Sequence, residues 1–239
     1  TVVSAFSILQ HKRPSLRLKN VPPDLTKRLL VGIFSLVVAA GPLLTNSQLR
    51  GWLVRTVSAD VSPQTLPFSQ DWTNIGLITL NDNWAGVPGI IGYRGDDLGT
   101  TVTGTDPQTI LLDGSGTPVN VIANQTNPNT LATGGVAEFH IANPTIALNG
   151  SGTADAPHIV LTLNTTGQTN INVAYNLRDI DGSIDNAPQP VALQYRVGMS
   201  GNYTNLPAGF VADATTGPSL ATLVTPVSVT LPAAAENQS

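Results

Sequence analysis

Four carboxylate or amide side chains lie close together in one short segment of the sequence, with spacing suited to a metal ion. The segment reads Asp179-Ile-Asp181-Gly-Ser-Ile-Asp185-Asn186, and a turn at its glycine would let these oxygens converge on a hard cation such as calcium. It lacks the full EF-hand series and has no Glu at the twelfth position. The alternative is a strand-connecting loop whose Asp and Asn side chains cap their own turn. The candidate calcium ligands are Asp179, Asp181, Asp185 and Asn186.

A second acidic group lies on either side of Trp84. It consists of residues 81–83 (Asn-Asp-Asn) and the pair Asp96 and Asp97. These side chains could share a cation or pair with Arg94, and ordinary surface turns are the alternative. We expect the surface turns.

Glu138 and His140 are the best placed residues for acid–base or zinc chemistry. They are two positions apart, so on a strand their side chains share one face. A zinc enzyme needs at least one more ligand and an open coordination position, and the sequence after residue 60 offers only His158 as a further histidine. The sequence therefore favours a structural role for this pair, and no catalytic residue is assigned.

Nucleophilic catalysis and nucleotide binding find no support in the sequence. The chain has no cysteine, which excludes a thiolate nucleophile, disulfides and Cys-based zinc sites. The motifs Gly-Ser-Gly at 114–116 and 150–152 and Gly-Met-Ser-Gly at 198–201 all miss the Gly-x-Ser-x-Gly elbow. No glycine-rich loop follows a strand and opens a helix, so a phosphate site is not indicated.

Aromatic side chains could form a stacking platform for sugar rings. The candidates are Trp72, Trp84, Tyr93 and Tyr203, of which Trp84 and Tyr93 are the assigned glycan ligands. Aromatics make up only 5% of the chain, so a core role for most of them is the alternative.

The body that carries these residues alternates between apolar and polar positions, as β-strands do. Residues 171–177 and 191–197 each have one apolar face. The loop 178–190 between them is rich in turn formers, so we predict that they pair as antiparallel strands. Further short strand candidates, separated by Gly or Pro, are 75–80, 89–94, 109–112, 119–123, 136–141, 145–148, 159–163 and 227–231. The sequence predicts an all-β fold, an antiparallel two-sheet sandwich of jelly-roll type, preceded by an amino-terminal signal-type helix.

The amino-terminal part has the layout of an export signal. Lys27 and Arg28 directly precede an apolar run over 29–44, which is too short to cross a bilayer as a helix. Small-x-small cleavage sites precede Asp60 and Gly41, and we favour the first. We expect a leader over 1–59, a linker over 60–66 and a β-module over 67–239; a buried core helix or a retained membrane anchor is the alternative for the apolar run.

Charge follows the same division. Residues 1–60 carry eight Lys or Arg against two carboxylates, whereas residues 61–239 carry three arginines against thirteen carboxylates. Binding nucleic acid through phosphates needs several basic side chains on one surface. We therefore expect no nucleic-acid partner for the module and membrane contact only through an uncleaved leader.

Three stretches together suggest a family. They are 83–97 (NWAGVPGIIGYRGDD), 191–198 (VALQYRVG) and 210–218 (FVADATTGP). The chain from about residue 66 resembles the jelly-roll-like β-sandwich module of large secreted bacterial proteins, some of which carry lamin-tail-like or extracellular endonuclease domains. The resemblance implies a further strand after residue 239, so we expect a module truncated at its carboxyl end. No segment matches the catalytic motifs of the nuclease domain.

Three functions are open at this point. The first is a non-catalytic secreted module that acts as a structural or adhesion spacer, stabilised by calcium and in contact with cell-surface components. The second is a carbohydrate-binding module that targets a secreted enzyme to polysaccharide. The third is the amino-terminal part of an extracellular nuclease whose catalytic domain lies outside this sequence.

Overall fold

The structure confirms an all-β fold. It is a computed structural model, and the residues that it describes are 2–7, 58–96, 98, 106–112, 117–181, 188–215 and 224–239. All of them fall in one compact unit. The apolar run over 29–44, and with it the expected signal-type helix, lies outside the described residues.

Short strands make up nearly all the regular structure in these parts of the chain. The strands are β1 Val2–Ser7, β2 Ser58–Ala59, β3 Gln64–Thr65, β4 Asn83–Trp84, β5 Ile90–Tyr93, β6 Ile122–Gln125, β7 Gly135–Phe139, β8 Thr145–Asn149, β9 His158–Asn164, β10 Asn172–Leu177, β11 Val191–Arg196, β12 Thr204–Asn205 and β13 Thr225–Thr230. Four single-turn 3-10 helices occur between or after them, at Pro107–Thr109, Pro128–Thr130, Pro207–Gly209 and Ala233–Ala235. Within the described ranges no α-helix is found, and no helix is long and apolar enough to cross a bilayer.

The described strands form four sheets. The largest has the order β12-β11-β1-β9-β3, and β5 also pairs with β9. A second sheet of three strands has the order β6-β7-β8, while β10-β13 and β2-β4 are two-stranded. Pairing is antiparallel except for β2 with β4, β3 with β9 and β6 with β7.

The predicted pairing of the two alternating segments is wrong. Strand β10 pairs with β13, and β11 pairs with β1 and β12. Burial explains the difference, because β10 alternates between exposed and half-buried positions whereas β11 is buried on both faces. A strand with one solvent-exposed face and a strand covered on both faces lie at different depths, and β10 and β11 belong to different sheets.

Two further strand predictions fail because short polar side chains bond to the local backbone. In segment 75–80 the side chain of Asn74 accepts a hydrogen bond from Gly76 N, 3.1 Å away. In segment 109–112 the chain instead leaves a 3-10 turn, which Asp106 begins by accepting from Gln108 N at 2.9 Å. Such turns compete directly with sheet ladders for the backbone donors.

Two large buried clusters and a small third one, Ile110 with Ala156, form the core. The first contains Ile78, Trp84, Val87, Ile90, Ile91, Val121, Ala123, Val136, Val160 and Tyr203. The second contains Leu163, Ile171, Leu193, Leu206, Val227, Val229, Leu231 and Ala235. Strand β9 contributes Val160 to the first cluster and Leu163 to the second. One strand therefore joins the two large clusters.

Two of the strands come from residues that were expected to belong to the leader. Strand β1 lies between β9 and β11, and β2 pairs with β4 in the register Ser58 to Asn83 and Ala59 to Trp84. Asp60 O also accepts a hydrogen bond from Gly89 N, 3.0 Å away. The favoured cleavage point before Asp60 therefore falls at the end of a paired strand.

Candidate functional site

The predicted calcium segment follows directly after β10, and the structure describes its first half. Asp181 N donates to Asp179 Oδ1 over 2.9 Å, which is the self-capped turn of the alternative interpretation. The other two candidate ligands, Asp185 and Asn186, lie outside the described residues. The described half therefore fits both a turn and one side of a cation site.

The fold brings Asp213 into electrostatic range of Asp179. Burial raises the pKa of Asp179, and the negative charges of Asp181 and Asp213 add to this increase, against backbone hydrogen bonds that lower it. Like charges disfavour ionisation in this way when they share a site. A bound cation would relieve the same repulsion.

Asp213 is itself held in the charged form. Burial alone would raise the pKa of Asp213, but hydrogen bonds from Thr215 N (3.0 Å), Gln189 N (3.1 Å) and Thr215 Oγ1 (2.9 Å) together lower it. Asp213 was not among the residues predicted for this site. Its local signal is a Thr two positions later, which indicates a capped turn, but its approach to Asp179 depends on how distant segments fold together.

Two side chains of the second acidic group accept hydrogen bonds from the backbone. Asn81 Oδ1 accepts from Ala123 N at 2.9 Å, and Asp82 Oδ1 accepts from Val121 N at 3.3 Å. Asp96 pairs with the guanidinium of Arg94, as one interpretation proposed, while Asp97 lies outside the described residues. Asn81 and Asp82 thus fasten one loop onto the chain entering β6.

Glu138 and His140 do lie on one side of the chain. His140 Nε2 is 2.5 Å from Glu138 Oε1, and Glu138 Oε2 accepts from Asn124 N at 2.8 Å. Glu138 is only 5% exposed, so both carboxylate oxygens are engaged in the interior. The Glu138 carboxylate thus connects β7 to β6.

His158 is committed to different neighbours. It is fully buried on β9, where its ring stacks on Tyr93 with centroids 5.2 Å apart and an interplanar angle of 26°. Its Nδ1 lies 2.8 Å from Ala156 O. Across the part of the chain that the structure describes, no three His, Asp or Glu side chains are grouped as a metal site requires.

The assignment of Trp84 as a glycan ligand needs correction. Trp84 is 0% exposed, and its Nε1 donates to Asn120 O at 3.1 Å. Trp72 meets its ring edge-on, with centroids 6.5 Å apart. A sugar needs an open aromatic face, and this ring has none because it fills the first core cluster.

The other aromatic candidates are also engaged within the fold. Tyr93, the second assigned glycan ligand, is half-buried and stacks on His158. Tyr203 is buried, with the Arg196 guanidinium 4.4 Å from its ring centroid. The residues named for a sugar platform therefore do not form one shared exposed surface.

Comparison with known proteins gave no relative: no protein-family model, no curated protein and no solved structure matches this chain.

Proposed function

We propose that this chain is a non-catalytic module of a secreted protein, which serves as a structural or adhesion spacer and is stabilised by calcium. One observation supports the proposal most strongly. The polar side chains best suited to chemistry donate to or accept from the backbone of neighbouring segments, as Glu138, Asn81 and Asp82 do. Their chemistry is used to hold loops and strands together.

The architecture proposed for the spacer is a jelly-roll-like β-sandwich. The large sheet contributes to both core clusters through β9. Strands β6 and β7 supply side chains to the first cluster, and β13 supplies side chains to the second. In this proposal the three-stranded sheet and the β10–β13 pair together form the layer that faces the large sheet.

The calcium part of the proposal rests on the carboxylates of Asp179 and Asp181, with Asp213 as a nearby negative charge. The charges of Asp181 and Asp213 raise the pKa of Asp179 after the effect of burial, and a divalent cation bound by Asp179 and Asp181 would offset that repulsion. Oxygen ligands of this kind suit calcium. The proposed site would draw its remaining ligands from Asp185 and Asn186.

Thermal unfolding with added calcium and with EDTA tests this site. We expect calcium to raise the melting temperature of the natural chain, because a ligand that binds only the folded state stabilises it. Asp179→Asn should abolish the shift. Asp71→Asn is the matched control, since Asp71 also caps a turn, accepting from Thr73 N at 3.0 Å, but is exposed and lies outside this site.

Two results would overturn the calcium part. If the natural chain had the same melting temperature in calcium and in EDTA, it would not be stabilised by calcium. If calcium raised the melting temperature of Asp179→Asn and of the natural chain equally, the ion would bind at a different site.

The non-catalytic part is tested separately. The purified chain should show no nuclease activity and no retention on a broad glycan array. Activity that disappears in Glu138→Gln or His140→Ala would show that this pair performs catalysis and would overturn the spacer proposal.

A further inference from the structure

Strand β1 occupies the middle of the largest sheet although it is far from its neighbours in sequence. Its register with β11 runs from Val2 opposite Arg196 to Ser7 opposite Val191. Its register with β9 runs from Val2 opposite Thr162 to Phe6 opposite His158. The segment is therefore antiparallel to both neighbours and paired along nearly its full length.

Both neighbouring strands already have partners on their other edges. Strand β9 pairs there with β5 and β3, and β11 pairs with β12. Without β1, the two edges that face each other would present unpaired backbone donors and acceptors. Facing unpaired edges form a binding site for an extended strand, in which backbone hydrogen bonds provide the affinity.

The space between β9 and β11 lies deep in the fold, so leaving it without a strand would cost free energy. Residues Val191, Ala192, Leu193 and Gln194 of β11 are all buried, so the sheet is covered on both faces beside β1. Unpaired backbone groups at such a place lose water without gaining a partner. The occupant must therefore satisfy the backbone and carry no charge.

The amino-terminal segment has that character. It reads Val-Val-Ser-Ala-Phe-Ser, which is uncharged, contains β-branched and aromatic residues and lacks Pro and Gly. The first basic residue after it is Lys12. Strands buried on both faces have mostly apolar sequences of this kind.

We propose that the space between β9 and β11 is a strand-acceptor site, and that the Val2–Ser7 segment of the same chain is its ligand, which stays bound when the chain is cut between Lys12 and Ser58. The paired backbone on both edges would hold the segment without a covalent connection. A cut within that stretch would then produce a two-piece complex, in which the amino-terminal piece contributes a strand to the fold.

Disulfide trapping tests the position of the strand in the full chain, which has no natural cysteine. Two neighbouring register pairs are used, Ala5→Cys with Ile159→Cys and Ser4→Cys with Val160→Cys. Adjacent antiparallel pairs alternate between a narrow and a wide type, so at least one of these pairs has the closer spacing. The control is Ala5→Cys with Val173→Cys, whose second position lies on β10.

We expect an intramolecular disulfide in at least one register pair and none in the control. A disulfide-linked dimer would show that the strand of a second copy occupies the strand-acceptor site, and would overturn the intramolecular proposal. The absence of a disulfide in both register pairs would show that the segment does not occupy the strand-acceptor site, and would overturn the proposal.

Cleavage tests whether the segment behaves as a ligand. A recognition site for a specific protease is inserted after Lys19 of the full chain, which is then cut and passed through size exclusion. We expect the amino-terminal peptide to elute with the body and to separate from it only in denaturant, as mass spectrometry of the fractions would show. Separation of the peptide under native conditions would overturn the proposal.

Discussion

At the scale of single residues, aspartates followed two positions later by Ser or Thr recur along the chain. The pairs are Asp60 with Ser62, Asp71 with Thr73 and Asp213 with Thr215. In each pair the carboxylate accepts hydrogen bonds from both the backbone N–H and the hydroxyl of the later residue. These bonds favour the ionised form and lower the pKa of all three carboxyls. Asp179 differs because burial and neighbouring carboxylates act on it in the opposite direction.

Asp179→Asn should therefore stabilise the calcium-free protein at neutral pH. The pKa of Asp179 is raised on folding, so the folded state holds its proton more tightly than the unfolded state. Protonated Asp179 therefore contributes stability below its ordinary pKa of 3.8. This contribution is lost as the pH rises through the higher pKa that Asp179 has in the folded state. We expect the variant to melt higher than the natural chain at pH 7 in EDTA, and the difference to vanish in acid. A lower melting temperature at pH 7 would contradict the repulsion.

Tyr175→Phe should leave stability unchanged or increase it. Tyr175 Oη is buried without a hydrogen-bond partner, and burial raises its pKa to about 12. Removing an unsatisfied buried hydroxyl relieves a desolvation penalty of about 1–3 kcal/mol. Urea unfolding at neutral pH measures this change, and a clear loss of stability would show that the hydroxyl has a partner.

The same variant changes the response to alkali. A raised tyrosine pKa means that stability present below the ordinary value of 10.0 is lost as the pH rises toward 12. We expect the natural chain to lose stability faster than Tyr175→Phe across this alkaline range. Parallel loss in both proteins would contradict the assignment.

At the scale of elements, the first core depends on very close approach between strands. A Cβ atom added at Gly92 of β5 would lie 2.4 Å from Trp84 Cζ2 and 3.0 Å from Asn120 O. Asn120 also connects segments, since its Oδ1 accepts from Val136 N at 2.8 Å and its O accepts from the Trp84 ring. The buried tryptophan is therefore held between β5 and the chain entering β6.

Gly92→Ala should destabilise the fold by overpacking, by about 1–3 kcal/mol. The backbone oxygen of Asn120 cannot move without disturbing the segment it belongs to. Gly152→Ala is the control, because a Cβ there meets nothing within 4 Å. Equal stability of the two variants in urea unfolding would show that the core can adjust around Trp84.

Glu138 connects β6 and β7, so its removal should weaken the contact between these two strands. Glu138→Ala leaves Asn124 N without its acceptor, and Asn124 has a left-handed backbone with φ of 58°. Asn124 is exposed, so water can replace part of the lost bond, and we expect the loss of about 0.5–1.5 kcal/mol that one hydrogen bond contributes. Glu138→Gln retains an acceptor oxygen and should lose less. Equal loss in the two variants would show that the carboxylate charge, and not the hydrogen bond, is what matters.

At the scale of the whole molecule, β9 makes the two core clusters interdependent. It pairs with β1, β5 and β3, and its side chains enter both clusters. With no disulfide available, packing around this strand must hold the described unit together. We therefore expect the two clusters to unfold in one cooperative step.

Leu231→Ala tests that cooperativity. Leu231 is 2% exposed in the second cluster, and a buried Leu→Ala change costs about 2–5 kcal/mol. Tryptophan fluorescence reports on the first cluster through Trp84, while circular dichroism reports on all strands. Both midpoints should fall together in the variant. A fall in the circular dichroism midpoint alone would show that the clusters unfold independently.

The fold class could be predicted from the sequence because alternation is a local property. Residues 136–141, 145–148 and 159–163 were expected as strands and correspond to β7, β8 and β9 within two residues at either end. The carboxylate at Asp179 and its capped turn were likewise visible, since side chain and amide are two residues apart.

Tertiary structure decided what depends on distant segments. The alternation of 171–177 could not show that its partner is β13, because pairing is set by which faces are covered and by segments far along the chain. The same holds for the burial of Trp84, the approach of Asp213 to Asp179, and the place of Val2–Ser7 inside the sheet. A sequence determines which residues can form strands and turns, whereas neighbours in space are fixed only when the whole core is buried at once.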